Sequence, residues 1–207
     1  MRRKEIKQKR EEAWAKIEPQ LQVADIILSR EKSWLSRAIR DATGSYWSHV
    51  SIVFSVPDKH FNNILVISAE RTGIEIHRIQ KYTKDFDFFD LGVKRIPDLS
   101  AKTREMVLSY VLNNVDLPYD YGRLFGLFID YLGTRFLGRK IFHPICNESA
   151  FICSAFIQKA FYSVLPENKK DSVVFKDKNI NKFFLEEVTP ADIARSKKCD
   201  WLYNPHD

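Results

Sequence analysis

Apolar positions recur along the chain with two periods, and each period marks a different element. The longest helical pattern is Asn147 to Leu165, NESAFICSAFIQKAFYSVL, where Cys153, Phe156, Ile157, Ala160, Phe161 and Val164 fall at i, i+3, i+4, i+7, i+8 and i+11. This is one face of a helix, and Pro166 stops it. Residues 47–56, WSHVSIVFSV, alternate instead: Val50, Ile52 and Phe54 face one way, His49, Ser51, Val53 and Ser55 the other. The same period runs through ILVISAE, so that Ile64, Val66, Ser68 and Glu70 share a face. Turn residues Pro57, Asp58, Asn62 and Asn63 lie between these runs, which are predicted to pair as a hairpin with His49 and Glu70 near one end.

The remaining elements follow the same logic. QVADIILS, residues 22–29, reads as a short buried strand interrupted by Asp25, and IEIHRI after Gly73 and FFDLGVKRI add two more. Ser33 starts a helix that Gly44 ends, and Ser100 caps another through about Asn114, with Val107, Tyr110, Val111 and Asn114 on one stripe. Thr189-Pro190-Ala191-Asp192 has the order of a helix start, and the polar stretch 167–181 reads as a loop. The apolar segment Leu124 to Leu137 is interrupted by Asp130 and Arg135 and is too short and too charged to span a bilayer. It is expected to be a covering helix or a hydrophobic flap beside the site. Strands joined by short turns ahead of the last helices predict an α+β fold with an antiparallel sheet.

Composition narrows the picture further. With 207 residues, 44% of them hydrophobic, the chain supports one full core, and residues 21–207 are expected to form that domain behind a basic helical arm at 1–20. The net charge is +6, of which the first 16 residues contribute +4. This concentration in one segment of helix formers argues against a nucleic-acid groove in the body and favours a solvated helix. Peripheral contact with an anionic membrane, through the arm and residues 124–137, is the other expectation it leaves. Cys146, Cys153 and Cys199 form neither a CxxC pair nor a zinc spacing. Together with the absence of an apolar stretch behind the first basic residues, this suggests a reduced, cytoplasmic setting.

One of the three cysteines has a chemical context. Asn147 and Ser149 are both plausible N-caps, which would put Cys153 in the first or second helical turn, where free amides and the dipole favour a thiolate. The plain alternative is a buried cysteine filling a small core position. A nucleophilic cysteine needs a base, and the base an orienting group; His49 and Glu70 are the candidates whose strand positions suit. His60, His77, His143 and His206 lie in turns, on a polar strand face or in the tail.

ADIILS at 24–29, TGSYWSHVSIVF at 43–54, VISAERTGI at 66–74, LPYDYGRLF at 117–125, FICSAFIQKAF at 151–161 and VTPADIARS at 188–196 together resemble a known family. It is that of the circularly permuted papain-like hydrolases of the YiiX/YaeF type, relatives of the NlpC cell-wall peptidases and of lecithin retinol acyltransferase. The resemblance implies an antiparallel sheet or small barrel with the cysteine helix packed against it. It also implies an acyl-transfer site made of Cys153 as nucleophile, His49 as acid and base, and Glu70 as the orienting acid, with no metal or organic cofactor. Ala24 and Ser51 stand where Gly is common in such relatives. The expected substrate is a small peptide or amino-acid amide. An acyl lipid handled by the same site, or a non-catalytic binding module on the same scaffold, are the alternatives.

Overall fold

The computed structural model describes residues 2–70, 73–115, 153–175 and 188–206. The elements run α1 (Arg2–Ile17), β1 (Ile26–Glu31), α2 (Trp34–Thr43), β2 (His49–Ser55), β3 (Leu65–Glu70), β4 (Gly73–Arg78), α3 (Gln80–Thr83), β5 (Phe89–Arg95), α4 (Ala101–Leu112), α5 (Cys153–Val164), α6 (Pro190–Arg195) and β6 (Asp200–Tyr203). The strands form one antiparallel sheet in the order β4-β3-β2-β1-β5-β6, which is open among the described residues. The fold is therefore α+β, and among the described residues its sheet is not closed into a barrel.

Alternation along the strands builds a core on each face of the sheet. Ile26, Leu28, Val50, Ile52, Ile67, Ala69 and Ile74 pack on one side with Val107 and Val111 of α4 and with Phe156, Ile157, Ala160 and Phe161 of α5. Ile27, Val53, Ile64, Val66, Leu91 and Val93 pack on the other with Trp14, Ile79, Tyr82 and Phe86. The expected faces of β2 and β3 are the observed ones.

Local chemistry fixes the ends of the helices. The Ser33 hydroxyl accepts from the Ser36 amide to start α2, and Gly44 closes it in the left-handed region at φ 57°. Thr189 and Asp192 form the reciprocal capping box of α6. The carboxyl end of α6 is held by a buried lysine: Lys94 Nζ donates to the carbonyls of Ile193 (3.1 Å), Ala194 (2.9 Å) and Ser196 (2.7 Å). A cation at a helix C-terminus is favourable, and here it satisfies three acceptors together.

Four features differ from expectation. The first strand starts at Ile26 instead of Gln22, because Ala24 takes a left-handed φ of 68° and Asp25 folds back to accept the Gln22 amide at 2.7 Å. Asp25 is fully buried and paired with Arg95 through two 2.7 Å hydrogen bonds. Residues 167–173 form a 3-10 turn where a loop was expected, since Gln158 of α5 donates to the Val173 carbonyl and accepts from the Phe175 amide. The basic helix is docked as well as solvated: Trp14 is 3% exposed, and Arg10 pairs with Asp90 and donates to the Phe86 carbonyl. Neither α3 nor β6 was anticipated; both are four residues long, too short to show a period. Residues 124–137, Cys146 and the candidate caps Asn147 and Ser149 lie outside the described residues.

Candidate active site

His49 opens β2 and Glu70 ends β3, so the antiparallel hairpin brings both to one end of the sheet. The recorded register starts at Ser51 opposite Ser68, and continuing it by two residues sets Glu70 opposite His49. The His49 Nε2 atom lies 3.6 Å from Glu70 Oε1. Because Nε2 faces the carboxylate, Nδ1 is the ring nitrogen available to the Cys153 sulfur, which is the hydrogen-bond partner of the imidazole.

The meeting of cysteine and histidine is made at an edge. The apolar face of α5 belongs to the core on one side of the sheet, whereas strand alternation puts His49 and Glu70 on the side of the second core. Packing by faces alone would keep them apart. They meet at the sheet end where β2 begins with His49, and there the Val50 amide hydrogen-bonds the Cys153 sulfur.

Charge in this corner favours an ion pair. Burial disfavours the His49 imidazolium, but the Cys153 sulfur and the Glu70 carboxylate outweigh it and raise its pKa to about 9. Burial likewise works against the Cys153 thiolate, and the imidazolium charge, its hydrogen bond and the Val50 amide outweigh it, so the thiol pKa falls below its usual value. Glu70 is pushed up by burial and pulled down more strongly by His49, Lys81 and Ser68, to about 2. Cys199 behaves in the opposite way, with burial raising its thiol pKa.

Glu70 is surrounded by groups that the sequence pattern signals unevenly. Ser68 Oγ, Lys81 Nζ and Tyr82 OH all donate to Oε1, at 2.8, 2.7 and 3.3 Å. His77 of β4 lies 3.6 Å from Glu70, 3.3 Å from Glu75 and 3.1 Å from Lys81. Ser68 could have been found from its i, i+2 relation to Glu70. Lys81 and Tyr82 could not, because α3 has no period. Beside the site, Ser48 ties β2 to α2 through a 2.7 Å bond with Ser36. No group of three or more His, Cys, Asp or Glu among the described residues could hold a metal ion.

A thiol-imidazole pair beside an antiparallel sheet is an arrangement that a cysteine hydrolase can use. Residues 20–125 match the model of the permuted papain-like amidase family, YaeF/YiiX, C92, and the chain belongs to that family. At that level the protein is an enzyme of the cysteine amidase/peptidase class. Its fold is similar to that of the crystal structure titled as metalloprotein yiiX from Escherichia coli O157:H7, with a TM-score of 0.59 and 17% identity. The match covers 89% of this chain and 98% of that one. No curated protein matches the sequence. No helix among the described residues is long and apolar enough to cross a membrane.

Proposed function

We propose that the protein cleaves an amide bond in a small peptide or amino-acid amide through a thioester on Cys153. The observation that carries this reading is the convergence of Cys153, His49 and Glu70 at one sheet end, with charges that favour thiolate and imidazolium. The thiolate attacks the carbonyl carbon, and His49 Nδ1–H protonates the departing amine as the C–N bond breaks. The neutral imidazole then takes a proton from water, the resulting hydroxide equivalent attacks the thioester, and the C–S bond breaks to release a carboxylate and restore the thiolate. Glu70, 3.6 Å from Nε2, favours the charged ring electrostatically without taking the proton. Backbone amides at the start of α5 stabilise the oxyanion.

Intact-mass spectra recorded after incubation with a panel of aminoacyl amides, peptidyl amides and fatty-acyl esters test this reading. An acyl adduct that maps to Cys153 and disappears in Cys153→Ala supports it, and the adduct mass identifies the acyl half. Turnover that survives Cys153→Ala would overturn it.

A second reading, an acyl lipid as substrate, has one observation in its favour. Trp34 is 80% exposed on α2, the helix tied to Ser48 beside His49, and α1 carries the basic excess of the chain. An exposed tryptophan on a chain that also carries a basic helix suits an anionic interface. Sedimentation with anionic vesicles that is lost in Trp34→Ala would favour the lipid; indifference to Trp34 would favour the soluble amide.

A further inference from the structure

Glu70 has Lys81 and the rings of His49 and His77 within reach, and of these only Lys81 is fixed in charge. Lys81 Nζ is the nearest, 2.7 Å from Oε1, while the His49 ring stands 3.6 Å from the same oxygen. Lys81 reaches Glu70 from α3, packed under the sheet by the buried Tyr82 and Ile79. The ammonium also sits 3.1 Å from His77 Nε2, which as a neutral ring accepts from it. We propose that Lys81 is a positioning residue of this site: it anchors the Glu70 carboxylate and offsets that carboxylate's pull on the His49 imidazolium.

The inference rests on the function proposed above and adds a component to it. A histidine that must both donate and accept a proton works best when its affinity for that proton is moderate. Glu70 alone, facing a thiolate partner as well, would hold the imidazolium too tightly; a fixed positive charge close to the carboxylate weakens that hold. The position of the ammonium also has a geometric effect. With Lys81, Ser68 and Tyr82 all donating to Oε1, the carboxylate keeps one orientation toward the ring. The other titratable groups around the pair are Glu75 and His77 on β4, Tyr82 on α3 and Cys153 on α5. The His77 pKa is itself pushed down, by burial and then by Lys81, which disfavours its charged form.

The sign of the effect separates this role from simple support of the fold. Lys81 and Glu70 carry opposite charges beside the same ring, so removing them must move the His49 titration in opposite directions. The experiment is an NMR titration of the His49 ring protons in the full chain, with Cys153 alkylation at pH about 6 measured in parallel. Lys81→Met should raise the His49 midpoint by about one pH unit, Glu70→Gln should lower it, and the double variant should return close to wild type. Lys81→Arg should keep the wild-type midpoint. If Lys81→Met does not fold, Lys81→Gln carries the same expectation. An unchanged midpoint in the folded Lys81 variants, or a shift in the same direction as Glu70→Gln, overturns the inference. The parallel assay keeps the two readings separable. A reactive Cys153 with an unmoved midpoint removes only the role of Lys81, whereas an unreactive Cys153 with opposite shifts leaves that role standing and removes the nucleophile.

Discussion

Replacing Glu70 with Gln preserves the shape of the side chain and removes its charge, leaving Lys81 unopposed beside His49. At 3.6 Å, an effective dielectric of about 20 gives a Glu70–His49 attraction of about 4–5 kcal/mol before screening. Both side chains are partly solvated, at 22% and 24% exposure, and the carboxylate is shared with Lys81, so about 2 kcal/mol is the reasonable net value. That corresponds to a fall of about 1.5 pH units in the His49 midpoint, from its present value of about 9. The ring should still protonate near neutrality, so Glu70→Gln should retain more activity than His49→Ala, which loses the proton carrier entirely. Stability follows the same linkage. The depressed Glu70 pKa contributes stability that is present above 4.5 and lost as the pH falls through about 2. The raised His49 pKa contributes stability that is present below 6.5 and lost as the pH rises through about 9. Urea unfolding of wild type and Glu70→Gln should therefore differ most between pH 4.5 and 6.5. Equal and complete loss of activity in folded Glu70→Gln and His49→Ala, or a stability difference independent of pH, would refute this reasoning.

Two further substitutions probe the scaffold that holds the site. A methyl group on Gly92 would come within 2.8 Å of the buried Trp47 ring, so Gly92→Ala should destabilise by about 1–3 kcal/mol in denaturant melts, and a neutral result would mean that Trp47 can move. Trp14 is buried against Phe86 and Tyr203, with ring centroids 6.4 Å from each. Its replacement by Ala should cost about 3 kcal/mol and make α1 accessible to protease, and intact resistance would show that Arg10–Asp90 alone holds the helix.

The sequence was most legible where period and local capping agree. Alternation put Ser68 and Glu70 on one face of β3 and gave His49 its face of β2, with His49 and Glu70 near one end of the expected hairpin, and Ser33, Gly44, Thr189 and Pro190 mark helix ends by their own chemistry. The contact between His49 and Cys153 was not legible in this way. It depends on two elements from opposite faces ending at the same edge, which no local pattern encodes. Lys81 and Tyr82 were missed for a related reason, since a four-residue helix shows no period and their partner is eleven or twelve residues away. Ala24 shows that a departure from a family pattern can be read physically. The residue stands where Gly is common, and it does adopt the left-handed φ that Gly would take without strain.

Catalysis by this site requires that His49 make Cys153 a thiolate. Alkylation with iodoacetamide at pH about 6, well below the roughly 8.5 of an ordinary thiol, followed by peptide mapping, measures this directly. Cys153 should be modified ahead of Cys199, whose thiol burial holds protonated, and ahead of Cys146, and His49→Ala should slow that modification sharply. Faster labelling of Cys146 or Cys199 in the folded protein, or a Cys153 rate indifferent to the loss of His49, would contradict the account and return Cys153 to the core as a buried thiol.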